Sequence, residues 1–223
     1  MSGGITLLLI LLLIFLLPLM FMDVMFIALG KLGIDPALAP IIIFVMLFGS
    51  LVNIPIVRKS ITKPVLHYPP NLWGLERYWP NLQQHPPERI IAVNVGGFVI
   101  PMLLVIYEIA RIWGQQPSLL LPMGMAVLLN IMLCYLLAKP VPQVGVTLPV
   151  FIPGLAAAVS ALLLAPDMAA PVAFCAGVLG PVVGADLLNL KQVSKTHVGM
   201  ASIGGAGTFD GIVISGLLAV LLS

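Results

Sequence analysis

The sequence predicts an all-α fold: a polytopic bundle of about seven transmembrane helices, N-terminus inside and C-terminus outside. Three observations predict it. The chain is 61% hydrophobic and only 8% charged, with a mean hydropathy of +1.16, whereas soluble domains carry about 25% charged residues. Apolar runs recur near the ~20 residues that a helix needs to cross the hydrocarbon core. Numbering those runs in order sorts nearly all basic residues to one side.

Seven spans follow in order, at 4–28, 38–57, 90–112, 118–138, 146–165, 170–190 and 203–222, in one transmembrane domain over residues 1–223. The first, "GITLLLILLLIFLLPLMFM", has no basic leading region and no small-residue cleavage site, so it reads as a retained helix rather than a signal peptide. The fifth carries Pro149 and Pro153, which predict a bent or broken helix. The seventh is apolar only from Gly211 onward and crosses only if "SIGGAGTF" also enters the membrane.

With these spans one side receives Arg58, Lys59, Lys63, Arg77, Arg89, Lys139, Lys191 and Lys195, and the other only Lys31 and Arg111, which accounts for all ten basic residues. The basic side is the expected cytoplasmic side. One connection is long: residues 58–89, proline-rich and carrying Trp73, Tyr78 and Trp79, expected as a cytoplasmic interfacial loop. A functional alternative is a lid or docking strip over the cytoplasmic mouth. The net charge of +2 gives no reason to expect a nucleic-acid partner. Cys134 and Cys175 both fall in apolar runs, as buried free thiols would. No cofactor or metal is expected. The lipid bilayer is the expected surrounding, and the oligomeric state stays open.

Sorting the eight acids by depth isolates a pair. Glu76, Glu88, Asp35 and Asp167 fall in loops, and Asp23 lies late in the first span. Glu108 stands three residues before Arg111, the spacing of an ion pair on one helix face. Asp186, in "GPVVGADLLNLKQ", lies five residues before Lys191, about 7 Å of helix. Asp210, in "GGAGTFDGI", lies seven residues after Ile203. The short connection "KQVSKTHVGMA" makes their helices antiparallel neighbours, so both carboxyls fall at comparable depth below the cytoplasmic surface.

Two carboxyls held together in low dielectric cannot both ionise easily, so they tend to share one proton. Such a pair can supply an acid and a base at neutral pH, as the aspartic-protease dyad does. Gly184, Gly204, Gly205, Gly207 and Gly211, with Thr208, allow close helix approach and an irregular backbone around it. Asn53, Asn94, Pro149 and Pro153 are candidates for lining the same cavity, the prolines by freeing carbonyls of residues 140–154. Asn130 and Asn189 are further polar groups within apolar runs. The structural alternative is that Asp210 simply caps a helix.

At "SIGGAGTFDGI", "GADLLNL", "KPVPQVGVTLPVFIPG", "VNIP" and "AVNVGGFVIP" the chain resembles an uncharacterised bacterial and archaeal membrane-protein family, domain of unknown function 1614. That resemblance implies a multi-pass protein of a prokaryotic inner membrane and no established activity. A weaker resemblance is to the GxGD intramembrane aspartyl proteases, the presenilin and prepilin-peptidase group. They pair aspartates on two helices that open toward the cytoplasm, one of them in a glycine motif. Here Gly205-Ala206-Gly207 is followed by Thr208 and Phe209 before Asp210, and the sequence Pro36-Ala37-Leu38 falls on the outer side. The resemblance implies Asp186 and Asp210 as catalytic residues and a membrane-protein or peptide substrate. No HExxH zinc motif or GxxxxGK[ST] phosphate loop occurs, and His67, His85 and His197 all fall in loops, away from any serine–histidine pair in the membrane.

The first expectation is therefore an intramembrane aspartyl peptidase-like protein. The alternative is a proton- or cation-coupled transporter or channel that uses the same aspartates as its ion site. The third is a non-catalytic membrane assembly factor.

Overall fold

The structure, a computed structural model, describes residues 3–60, 88–141, 145–190 and 199–223. Most of the expected 58–89 loop, with its aromatic residues and two of the histidines, lies outside the described residues, as do Lys63, Arg77, Lys191, Lys195 and His197.

The helices are α1 (Gly3–Lys31), α2 (Ala39–Gly49), α3 (Ile100–Gln115), α4 (Leu120–Leu137), α5 (Phe151–Leu164), α6 (Ala169–Leu179) and α7 (Gly211–Leu222). A π-helical turn, Val95–Val99, leads into α3, and a π-helical stretch, Gly180–Leu187, continues α6. Among the described residues three helical runs are long and apolar enough to cross a membrane: Val95–Gln115, Pro117–Leu137 and Pro166–Leu190. The apolar helices α2, α5 and α7 are shorter, at 11, 14 and 12 residues.

The helical character expected from hydropathy is present, and the all-α expectation needs a correction. Strands β1 (Asn53–Ser60), β2 (Glu88–Asn94) and β5 (Gly199–Ile203) form one sheet in the order β1-β2-β5, and β3 (Lys139–Val141) pairs with β4 (Gly145–Thr147). The second span is thus helical only to Gly49. Pro55 has no N–H for a helix ladder, and Ile54, Ile56 and Val57 are β-branched, so the backbone there extends and pairs antiparallel with β2. A register shift between Pro55 and Val57 marks the proline. The third span begins as strand for the same reason, in "RIIAV". Its switch to helix is set by Asn94, whose side chain accepts the N–H of Gly97.

Neither proline of the fifth span breaks a helix. Pro149 precedes α5 and Pro153 sits in its first turn, where a missing N–H leaves no carbonyl unpaired. In the seventh span, "SIGGAGTF" is the end of β5, a turn and a short 3₁₀ piece, Gly207–Phe209. The segment is irregular because Gly204 and Gly207 take left-handed φ values of 69° and 65°.

The core sits around α6, whose residues from Ala169 to Val178, except Ala170, are buried. Small residues allow the closeness: a Cβ on Gly177 would press on the Ser215 carbonyl and Gly216 Cα, and one on Gly154 on the same carbonyl. On α1, Met25, Ala28, Leu29 and Leu32 form the buried stripe, at helical spacing. At the far end of that helix, Lys31 Nζ donates to the carbonyls of Val220 and Leu221, so α1 and α7 run side by side.

The expected Glu108–Arg111 ion pair is present at 3.2 Å, with Glu108 fully buried. Arg111 also donates to the Leu32 carbonyl, tying α3 to the end of α1.

Candidate functional site

Asp186 and Asp210 line one cavity of about 580 Å³. Each arrives on an interrupted helix. Asp186 lies in the π-helical stretch beyond Pro181, a residue whose missing N–H loosens the i→i−4 ladder there. Gly184 in that stretch abuts the Ile131 carbonyl of α4, so the widened turn is pressed directly on a neighbouring backbone. Asp210 stands at the N-terminus of α7, where Oδ1 accepts the Ile212 N–H at 3.0 Å and Oδ2 the Ala206 N–H at 3.2 Å. Asp210 is therefore a helix cap as well as a cavity wall.

The rest of the cavity is polar on one side and extended on two. Asn53, at the start of β1, and Ser202, on β5, both line it, and the Ser202 hydroxyl donates to Asn53 Oδ1 at 2.6 Å. The residues of β4 and the following Leu148 form a second extended wall, opposite in sequence origin to Met200–Ile203 of β5. Gly204, Gly205 and Gly211 complete the floor beside Asp210.

Six residues expected around the cavity lie behind it instead. Gly184 packs on α4. Gly207 lies under the Ser50 side chain, and Thr208 is buried and hydrogen-bonded to Ser50. Asn94 is fully buried, where it caps the π turn and bonds the Ser50 carbonyl and Asn53. Pro149 and Pro153 belong to the start of α5 and are not among the lining residues, although their neighbours Leu148 and Val150 are. For Gly184, Gly207, Thr208 and Asn94 the reason is common: each is spent on holding a second stretch of chain close, which leaves no face toward the cavity.

Sequence reading missed Ser202, whereas the expected 140–154 stretch does supply lining residues, Gly145–Leu148 and Val150. Only strand pairing brings Ser202 beside Asn53, 149 positions away, and no local pattern marks it. The double glycine in "AVNVGGFVIP" was a readable signal of a different kind. A Cβ on Gly96 would strike the Met46 carbonyl, and one on Gly97 the Gly204 carbonyl, so this pair lets α2 and the 204–207 turn close on the start of α3. Pro36-Ala37-Leu38 lies in the α1–α2 connection, away from the lining, where Asp35 accepts the Ala37 N–H. Among the described residues no group of three or more His, Cys, Asp or Glu is arranged to hold a metal ion.

No curated protein and no solved structure matches the chain. A family model, described as "Protein of unknown function (DUF1614)", matches residues 47–222, which include both aspartates, the sheet and all the cavity walls, and the chain belongs to that family.

Proposed function

We propose that the chain is a multi-pass membrane protein of a prokaryotic inner membrane that hydrolyses peptide bonds with Asp186 and Asp210 as an acid/base pair. One observation carries the reading: both carboxyls line a single cavity of about 580 Å³ that the extended backbone of β4 and β5 also lines. That volume falls in the usual range for ligand sites, roughly 300–1,000 Å³. One carboxylate takes a proton from a water molecule as its oxygen attacks the amide carbonyl carbon. The other carboxyl donates its proton to the carbonyl oxygen. As the tetrahedral gem-diol collapses the C–N bond breaks, the proton held by the first carboxyl leaves with the amine, and one gem-diol hydroxyl returns its proton to the second carboxylate, which restores the pair.

Seven passes, with the N-terminus inside and the C-terminus outside, fit the placement of charge. Lys31, the last residue of α1, bonds the end of α7, and Arg111 bonds the Leu32 carbonyl beside it, so both gather at one end of the bundle. Arg58, Lys59 and Arg89 lie on the paired strands β1 and β2, beyond the opposite ends of α2 and α3. Depth follows from the α1–α7 pair. Phe21 meets Phe209 with ring centroids 4.9 Å apart, one residue before Asp210. From Phe21 to Lys31 is ten residues, or about 15 Å of helix. Asp210 then sits near half the hydrocarbon thickness of ~30 Å, deeper than its seven-residue distance from Ile203 suggests.

A specific feature favours a second reading, a proton- or cation-coupled carrier. Both acids stand at interruptions of helices, one π-helical and one at a helix start after an irregular turn, as ion-site residues of transporters do. Purified protein in liposomes separates the two with Asp186→Asn and Asp210→Asn. Hydrolysis of a membrane-segment peptide lost in both variants, with ion flux unchanged, supports the peptidase. Proton-driven uptake lost in both, with no hydrolysis by the parent protein, supports the carrier. Activity of either kind that survives both substitutions removes the aspartate pair from the mechanism.

A further inference from the structure

We propose that Asn53 is the carbonyl-binding residue of this cavity and that its amide N–H groups select an amide substrate over a cation. The proposal rests on the peptidase reading and deepens it.

Backbone groups of fixed polarity dictate the orientation of the amide. The Gly97 N–H can only donate, and it meets Asn94 at 2.8 Å, so that atom is Asn94 Oδ1. The Ser50 carbonyl can only accept, and it takes the other end of Asn94, Nδ2, at 2.7 Å. The remaining proton on Asn94 Nδ2 reaches Asn53 at 3.2 Å, and the atom it meets must be an oxygen. The Ser202 hydroxyl donates to that same oxygen at 2.6 Å. Oδ1 of Asn53 is thus held twice by the protein.

The consequence falls on the other end of the amide. Oδ1 and Nδ2 diverge from one planar carbon, so an oxygen fixed against Asn94 and Ser202 turns the nitrogen away from both. Asn53 Nδ2 has no partner among the described residues, while Asn53 itself lines the cavity with the two aspartates. Every other polar side chain in that network is used: Asn94 at both ends, and Ser202 in its bond to Asn53. What remains is a pair of N–H donors with a fixed direction.

Donors of this kind suit one class of ligand. A peptide carbonyl can accept from Asn53 while its carbon lies open to water activated by a carboxylate. A bare cation gains nothing from an amide turned nitrogen-first, because the partial positive charge of the N–H groups repels it. An ion site would present Oδ1, the end that Asn94 and Ser202 occupy.

The test uses full-length protein in detergent or liposomes and a fluorescein-labelled apolar decapeptide. Its binding is read by anisotropy in an Asp186→Asn background, and its cleavage in the otherwise unchanged chain. Asn53→Asp keeps the acceptor and the shape but removes both donors, and Asn53→Ala removes the whole amide. Each is expected to weaken peptide binding about tenfold, the size of one lost hydrogen bond to a buried ligand, and to raise KM more than it lowers kcat. Ser202→Ala leaves the amide in place but frees it to turn, and is expected to weaken binding about threefold, which covers the case in which either Asn53 variant fails to fold.

Unchanged binding in the folded Asn53 variants overturns the proposal and leaves the peptidase reading standing if the parent cleaves. Binding that depends on Asn53 in a parent that cleaves nothing overturns the peptidase reading and supports the carbonyl site. A parent that neither binds nor cleaves the peptide overturns both.

Discussion

The hydroxyls of Ser50 and Thr208 lie 2.6 Å apart across 158 positions of chain, and they lock the turn before Asp210 to the end of α2. The bonding is directional. Ser50 Oγ spends its one proton on the Met46 carbonyl at 2.7 Å, so the Thr208 hydroxyl donates to it, and so does the Thr208 N–H at 2.9 Å. A hydroxyl oxygen offers one donor and two acceptor positions, and here all three are filled. The carboxyl of Asp210 is placed by this lock and not by its own helix alone.

Thr208→Val keeps the shape and removes one donor. It is expected to cost about 1 kcal/mol, whereas Ser50→Ala, which loses all three bonds and strands the Thr208 hydroxyl, is expected to cost about 2–3 kcal/mol. Thermal unfolding in detergent reads both. The double variant is expected to cost less than the sum of the two, since the residues share the bond.

Gly97→Ala is expected to be among the most damaging single changes in the chain. Its Cβ would strike the Gly204 carbonyl and press on that of Gly207 at 2.7 Å, and both are backbone atoms that cannot rotate aside. A loss of about 1–3 kcal/mol follows, the usual range for overpacking, with Gly114→Ala, which meets nothing within 4 Å, as the neutral control. Equal melting temperatures for the two variants would contradict the close approach.

Arg111→Met leaves Glu108 buried with its ion partner gone. The expected loss is about 3–5 kcal/mol, and Glu108→Leu combined with Arg111→Met is expected to recover much of it, because the stranded charge goes too. Oligomer-independent unfolding, by heat or by detergent, measures the difference.

Asp210 has two duties that substitution can separate. Asp210→Asn retains an acceptor for the Ile212 N–H, gives up the exposed one for Ala206, and is expected to cost no more than about 0.5 kcal/mol, while Asp210→Ala loses both and about 1 kcal/mol. If both abolish activity but only the alanine lowers the melting temperature, the carboxyl acts beyond capping. Similar melting temperatures for the two variants would contradict the cap.

Hydropathy made the long helices legible, with residues 118–138 and 170–190 expected against Pro117–Leu137 and Pro166–Leu190 in the structure. The Glu108–Arg111 pair was legible because its spacing is local. The strands were not, because apolar content says how much of a segment avoids water and nothing about its backbone. The β-branched runs at 54–57 and 90–93 were the signal that could have divided strand from helix. Of the candidate site, the two aspartates and Asn53 could be placed together by depth. Ser202 and the true positions of Asn94 and Thr208 depend on pairings across most of the chain, which no window of sequence contains.

The parallel pairing of β2 with β5, Arg89 beside Gly199 through Val93 beside Ile203, sets an order of events for biogenesis. Between the two strands the chain makes α3, α4, α5 and α6, so the ladder cannot close until all four have been synthesised and the ribosome has released residues beyond 203. Contacts of such wide separation form slowly. The cavity therefore matures last, at the end of translation, and a nascent chain halted before Gly199 would carry all three helical runs long enough to cross a membrane yet have no chamber.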